Sequence, residues 1–250
     1  MQAVHPSAVV AREETPSRPR LQRIGGAGAV LLGAGSIITW VVFLISVKAF
    51  GHQPMVIGKV GQSYDYLQVM LPLLLPLTLL VSAASLVALQ FVRALEERLR
   101  STSPTLSPIA SLYGQVGLVA FQVMLLAFFF IEFRFVAGSG RQAVEGLIPA
   151  FFVVYSVAGL VAALFLAVWI FLVSWMARGD GGLPRVLRYL GFLAAVVLVM
   201  GEFEEFGPDH PVEVFLVGTS LLTGIWLVWA GALLWLRPLP SRPHVQADLP

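Results

Sequence analysis

No cysteine occurs in the 250 residues of this chain. Thiolate zinc sites, iron–sulfur clusters and disulfides are therefore excluded, and cysteine usage says nothing about redox compartment. Charge is scarce as well. Charged side chains make up 12% of the sequence and hydrophobic ones 58%, whereas a soluble domain carries about 25% charged residues. The solvent of such a chain is mostly lipid. Lysine is nearly missing: Lys48 and Lys59 are the 2 lysines among 16 basic residues. A net charge of +2 without a single basic patch leaves no footprint for nucleic acid. His5, His52, His210 and His244 all fall in tails or loops, so a bis-histidine haem within a bundle lacks ligands. No lysine falls mid-span to carry a retinal-type Schiff base.

What the chain has in abundance is long windows free of charge. A helix needs roughly 20 apolar residues to cross about 30 Å of hydrocarbon. Windows run from Ile24 to Val47, Tyr66 to Val92, Leu112 to Ile131, Gly146 to Ala177, Tyr189 to Gly201 and Val214 to Leu236. The fifth holds 13 residues and covers only about 20 Å, so its helix must borrow from both flanks. Arg188 can snorkel at one end, and at the other the helix must run on through Glu202 towards Phe206. The expected fold is all-α, a six-transmembrane-helix bundle with spans over 24–47, 66–92, 112–134, 147–177, 186–206 and 214–236. Residues 1–23 and 238–250 read as disordered tails around a membrane domain of residues 24–237. The leader carries Glu13 and Glu14 and precedes a full-length span, unlike a cleaved signal peptide.

Basic residues set the orientation. Both tails and the second and fourth loops hold 12 of them, from Arg12 to Arg242; the other side holds Lys48, Lys59, Arg134 and Arg141. Both termini are expected in the cytoplasm of a bacterial cell, with the chain in its plasma membrane. Trp175 and Trp235 fall near the inner ends of their spans, where aromatic belts sit.

Three patterns inside the spans concern packing. Gly25, Ala29 and Gly33 recur every four residues, a small-residue stripe that lets helix backbones approach. It serves packing within the bundle or, in the sharper reading, a homo-oligomer or membrane-protein partner. Pro72 and Pro76 lie one turn apart and predict a kink in the second span. The run Arg93–Arg100 continues that span as helix, with Glu96 and Arg100 paired at i,i+4. Its Glu-Glu pair lacks the Arg three residues on that intramembrane CAAX-type proteases carry, Ser101 standing there instead. Residues 33–36 (GAGS) and 138–140 (GSG) have no histidine base nearby. No enzyme chemistry and no cofactor is expected.

Acid is concentrated in one stretch, GEFEEFGPDHPVE at residues 201–213. With the fifth helix extended, Glu202 and Glu205 share a face at i,i+3, and GPDHP ends the helix. The third span brings Glu132 and Arg134 to the same end; at i,i+2 they point apart and cannot pair with each other. A bare carboxylate at membrane depth costs several kcal/mol and must be paired, hydrated or protonated. Glu132, Arg134, Glu202, Glu205, Asp209 and His210 therefore form a candidate outer cluster. It reads as an ion-pair clasp between the third and fifth spans, as a cation or proton site, or as a hydrated loop. No metal-ligand spacing is matched.

The run from Val168 to Gly201 resembles a bacterial family of six-span membrane proteins of unknown function. The resemblance rests on Pro184, Arg185, Leu187 and Gly191, on Arg23-Ile24-Gly25 at the start of the first span, and on the tryptophan-rich last span. It implies topology and no assigned activity. The expected function is that of a non-enzymatic multi-pass membrane protein working through packing with lipid or protein partners. The alternative is a small ion or solute transporter or channel with an acidic outer mouth at Glu132, Glu202 and Glu205. That alternative expects a polar cavity lined by Gln68, Gln122, Tyr155 and Ser156.

Overall fold

The described residues of the computed structural model form six α-helices: α1 (Arg18–Phe50), α2 (Val60–Leu99), α3 (Leu106–Val136), α4 (Arg141–Met176), α5 (Arg185–Glu204) and α6 (Val212–Leu236). The structure describes residues 18–50, 60–138, 140–178, 183–204 and 212–236, and no strand occurs among them. Helix is what an apolar chain in lipid requires, since it satisfies each backbone donor and acceptor within one segment. Among the described residues, four stretches are long and apolar enough to cross a bilayer: Arg20–Thr39, Pro72–Leu99, Leu106–Arg134 and Arg141–Met176. These are the marks of a membrane protein with several spans.

The helices overrun the apolar windows. α1 begins at Arg18, within the expected tail, and α4 begins at Arg141. α5 takes in residues on both sides of its short window and reaches 20 residues, about 30 Å of rise. Its first turn is set by Pro184, whose carbonyl accepts from the Arg188 backbone N–H at 3.2 Å. α2 stays helical through Pro72 and Pro76 and runs on to Leu99, and α4 stays helical through Pro149. Arg100 lies 3.6 Å from Glu96, the i,i+4 pair expected there.

Packing arranges α1, α2, α4, α5 and α6 as a closed ring in that order, with α3 outside it against α2 and α4. Helices consecutive in sequence run antiparallel, as do α1 and α6, while α2 and α4 run parallel. The ring closes where α1 meets α6, at two glycine pairs seven residues apart on each helix. A Cβ on Gly26 or on Gly231 would lie 2.6 Å from the other's carbonyl oxygen. The same atom on Gly33 would lie 2.5 Å from the Gly224 oxygen, and on Gly224 2.9 Å from the Gly33 oxygen. Backbone therefore meets backbone, as small residues permit in lipid.

The stripe Gly25, Ala29, Gly33 is thus divided between two neighbours. Gly25 lies against the backbone of Gln90 and Phe91 on α2, while Gly33 faces α6. The reason is angular: eight residues at 3.6 per turn leave about 80° between the two positions. Ala29, fully buried, lies between these faces with its Cβ close to Gly231. The surface these residues could offer to a second chain is already covered by α2 and α6.

Inside the ring, Phe91 of α2, Trp169 of α4 and Trp226 of α6 meet edge to face. Their ring centroids lie 5.9 Å (Phe91–Trp169), 6.3 Å (Phe91–Trp226) and 5.6 Å (Trp169–Trp226) apart. All three are buried. Such pairs add about 0.5–1.5 kcal/mol beyond area burial.

Gly33→Val or Gly231→Val forces α1 and α6 apart, because the nearest atoms are backbone and cannot rotate away. Each variant should lose about 1–3 kcal/mol, read as a lower melting temperature in detergent. Gly146→Ala, where a Cβ meets nothing within 4 Å, should be neutral or gain up to about 1 kcal/mol.

Candidate functional site

Polar side chains on α2 and α3 recur at helical spacing. Thr78, Ser82 and Ser85 fall at i, i+4 and i+7 on α2, and Ser111, Gln115, Gln122 and Glu132 fall on one stripe of α3. The antiparallel arrangement brings part of each stripe face to face. The Thr78 hydroxyl donates to Glu132 Oε1 at 3.2 Å. About three turns along α3, the Ser85 hydroxyl donates to Gln122 Oε1 at 2.5 Å, and the Gln122 amide donates to the Ser82 hydroxyl. Further along, the Gln115 amide donates to the Ser111 hydroxyl at 3.1 Å. Interhelical hydrogen bonds of this kind hold helices together where the hydrophobic effect cannot.

Glu132 is the singular member. The residue is 0% exposed, and its buried Oε2 has no hydrogen-bond partner among the described residues. One oxygen is thus fixed by Thr78 and the other is left over. Arg134 does not supply it, since no ion pair joins the two, and Arg134 Nε is itself buried without a partner. Both observations follow from i,i+2 spacing, which turns the two side chains about 160° apart. A buried polar atom without a partner costs on the order of 1–3 kcal/mol, more if charged.

The remaining expected cluster is only partly in view. The backbone of Glu202 lies in the last turn of α5. Its side chain, and Glu205, Asp209 and His210, lie outside the described residues. Among the described residues, no three carboxylate or histidine side chains come together as a metal site. Of the four polar residues expected to line one cavity, the side chains of Gln122, Tyr155 and Ser156 are described. Gln122 is closed into the α2–α3 seam, and the Tyr155 ring lies 5.4 Å from Phe151 and 6.4 Å from Phe128. Ser156 is half-buried, and the Gln68 side chain lies outside the described residues. A groove of about 290 Å³ between α3 and α4 is lined by apolar side chains alone, Ile131 and Leu147 among them.

Thr78, Ser82 and Ser85 were absent from the expected site. Their signal was present: three hydroxyls at i, i+4 and i+7 in an otherwise apolar span. No known protein family, curated protein or solved structure matches the chain.

Thr78→Val leaves both carboxyl oxygens of Glu132 without a partner and should cost about 1–3 kcal/mol of stability. Glu132→Gln keeps an acceptor for Thr78 without a charge and should melt at or above wild type. Glu132→Ala empties the position and should melt below it. Thermal unfolding of the three variants in one detergent reads all of these.

Proposed function

We propose that the chain is a six-span, non-enzymatic protein of the bacterial plasma membrane, acting through contacts with lipid and membrane partners. In this reading α5 and α6 cross the bilayer with the other four helices, and both termini lie on the cytoplasmic side. The Pro184–Gly191 pattern belongs to the same reading, as the start of a fifth span. The observation that carries it is the pairing of Thr78 with Glu132 and of Gln122 with Ser82 and Ser85. These polar groups are used on one another, between helices, and so serve packing. The aromatic filling of the ring by Phe91, Trp169 and Trp226 agrees with it.

A second reading rests on one atom. The unpartnered Oε2 of Glu132 is what a proton or cation site on a transport path would offer. The two readings differ in purified protein reconstituted into vesicles. Packing predicts no proton or monovalent-cation flux above empty vesicles, in wild type and Glu132→Gln alike. Transport predicts a flux that Glu132→Gln abolishes while the protein still folds.

A chain without cysteine suits single-cysteine labelling for the orientation. Ser101→Cys, between α2 and α3, should be protected from a membrane-impermeant maleimide in intact cells. Gly140→Cys, at the opposite end before α4, should react. The reverse pattern would invert the topology, and equal labelling of both would refute the spanning arrangement.

A further inference from the structure

We propose that the junction of α4 and α5 binds the phosphodiester headgroup of an anionic phospholipid, held by Arg178 and Arg188. The inference rests on the membrane reading above and names a lipid class for it. A cavity of about 270 Å³ opens there, lined by Arg178, Arg188, Tyr189 and Phe192. That lies just under the roughly 300 Å³ at which small-molecule pockets begin, a size for a headgroup rather than a whole ligand. Among the described residues the lining contributes two cations and no carboxylate.

Both arginines are positioned from beneath. The Arg178 guanidinium carbon lies 4.1 Å from the Trp175 ring centroid and 5.0 Å from that of Phe192. A guanidinium stacked on rings keeps its in-plane N–H donors free, in the fork geometry that matches a phosphate. Phe171 steadies these rings, with centroids 5.2 Å from Phe192 and 6.1 Å from Trp175. Arg188 is tied down at one corner, where Nη1 donates to the Ala177 carbonyl at 3.3 Å. Among the described residues its buried Nε has no hydrogen-bond partner. A donor in that state, beside a second cation and a cavity, suits an anion.

The apolar surface below the cavity points to a lipid over free phosphate. From Arg178, exposed Trp175, Phe171 and Val168 descend one stripe of α4. From Tyr189, exposed Leu193 and Val196 descend the matching stripe of α5. Acyl chains of a lipid whose head sits at the arginines would lie along both. Tyr189 and Trp175 mark the interface level between head and chains. Anionic lipid near an arginine-rich juxtamembrane segment also gains from the charge itself.

The test is native mass spectrometry of the purified full chain with phosphatidylglycerol, phosphatidylcholine and inorganic phosphate as separate probes. Thermal melting is followed in parallel. Wild type should retain phosphatidylglycerol in preference to phosphatidylcholine and melt higher with it. Arg178→Gln/Arg188→Gln should lose that preference by a factor on the order of ten. Arg93→Gln/Arg185→Gln, which removes the same charge from exposed positions at the same end, should keep it. Equal loss in both double variants would reduce the effect to net charge and overturn the site. Stabilisation by inorganic phosphate alone, without lipid preference, would overturn the lipid assignment. Absence of any preference in wild type overturns the proposal without needing a variant to fold. A chain that stays monodisperse without detergent would instead overturn the membrane reading beneath it.

Discussion

Contact between the backbones of α1 and α6 is the constraint on which the rest of the arrangement depends. These helices are the first and last of the described six, and the ring closes only if they approach as closely as Gly26–Gly231 and Gly33–Gly224 allow. In lipid there is no large hydrophobic gain from bringing two apolar helices together, so fit must supply the attraction. A close backbone approach does so through many small dispersion contacts. With the ring closed, Phe91, Trp169 and Trp226 are brought into mutual contact. Gly191 of α5 likewise sits where a Cβ would collide with Ser174 and Trp226. Glycine is therefore the residue that sets the distances where α1 meets α2 and α6, where α3 meets α4, and where α5 meets α4 and α6.

The placement of α3 separates two roles that its sequence runs together. It touches α2 and α4 but takes no part in closing the ring. Its face towards α2 carries the hydrogen-bonded seam, while Gly114 and Gly117 bring α4 close. The hydrogen-bonded residues Thr78, Ser82, Ser85, Gln122 and Glu132 thus lie between α3 and α2. A path through the middle of the bundle would meet aromatic rings rather than Gln122 and Glu132. This geometry is why the packing interpretation takes precedence over transport, with the free oxygen of Glu132 as the feature that keeps transport in contention.

Much of the fold was legible because hydrocarbon solvent imposes lengths and composition. The borrowing argument placed the fifth helix over 186–206, and α5 runs from Arg185 to Glu204. The coupling of Pro184, Leu187 and Gly191 has a packing reason: a proline that starts the helix, a buried leucine, and a glycine against Ser174 and Trp226. Azimuth was not legible. The stripe Gly25–Ala29–Gly33 looked like one face and serves two, because regular spacing by four drifts around the helix. Partnerships were less legible still. Gln122 was noted as polar, but its partners Ser82 and Ser85 are some 40 residues earlier, and only the antiparallel register of α2 and α3 joins them. Glu132 was expected in an outer cluster with Arg134, Glu202 and Glu205; its described hydrogen bond comes from a threonine on another helix.

The seam between α2 and α3 has a consequence for biogenesis. These helices are consecutive and joined by a tight turn, in which the Ser103 backbone N–H donates to the Leu99 carbonyl at 2.9 Å. Every interhelical partner of Glu132 and Gln122 described above resides on α2, which leaves the ribosome first. The most polar residue of the third helix can therefore enter lipid with its hydrogen-bonding companion already inserted, before α4, α5 and α6 exist. Ring closure is the opposite case, since α1 must wait until α6 has been made. The chain thus pairs α2 with α3 early and encloses α1 only once α6 has followed.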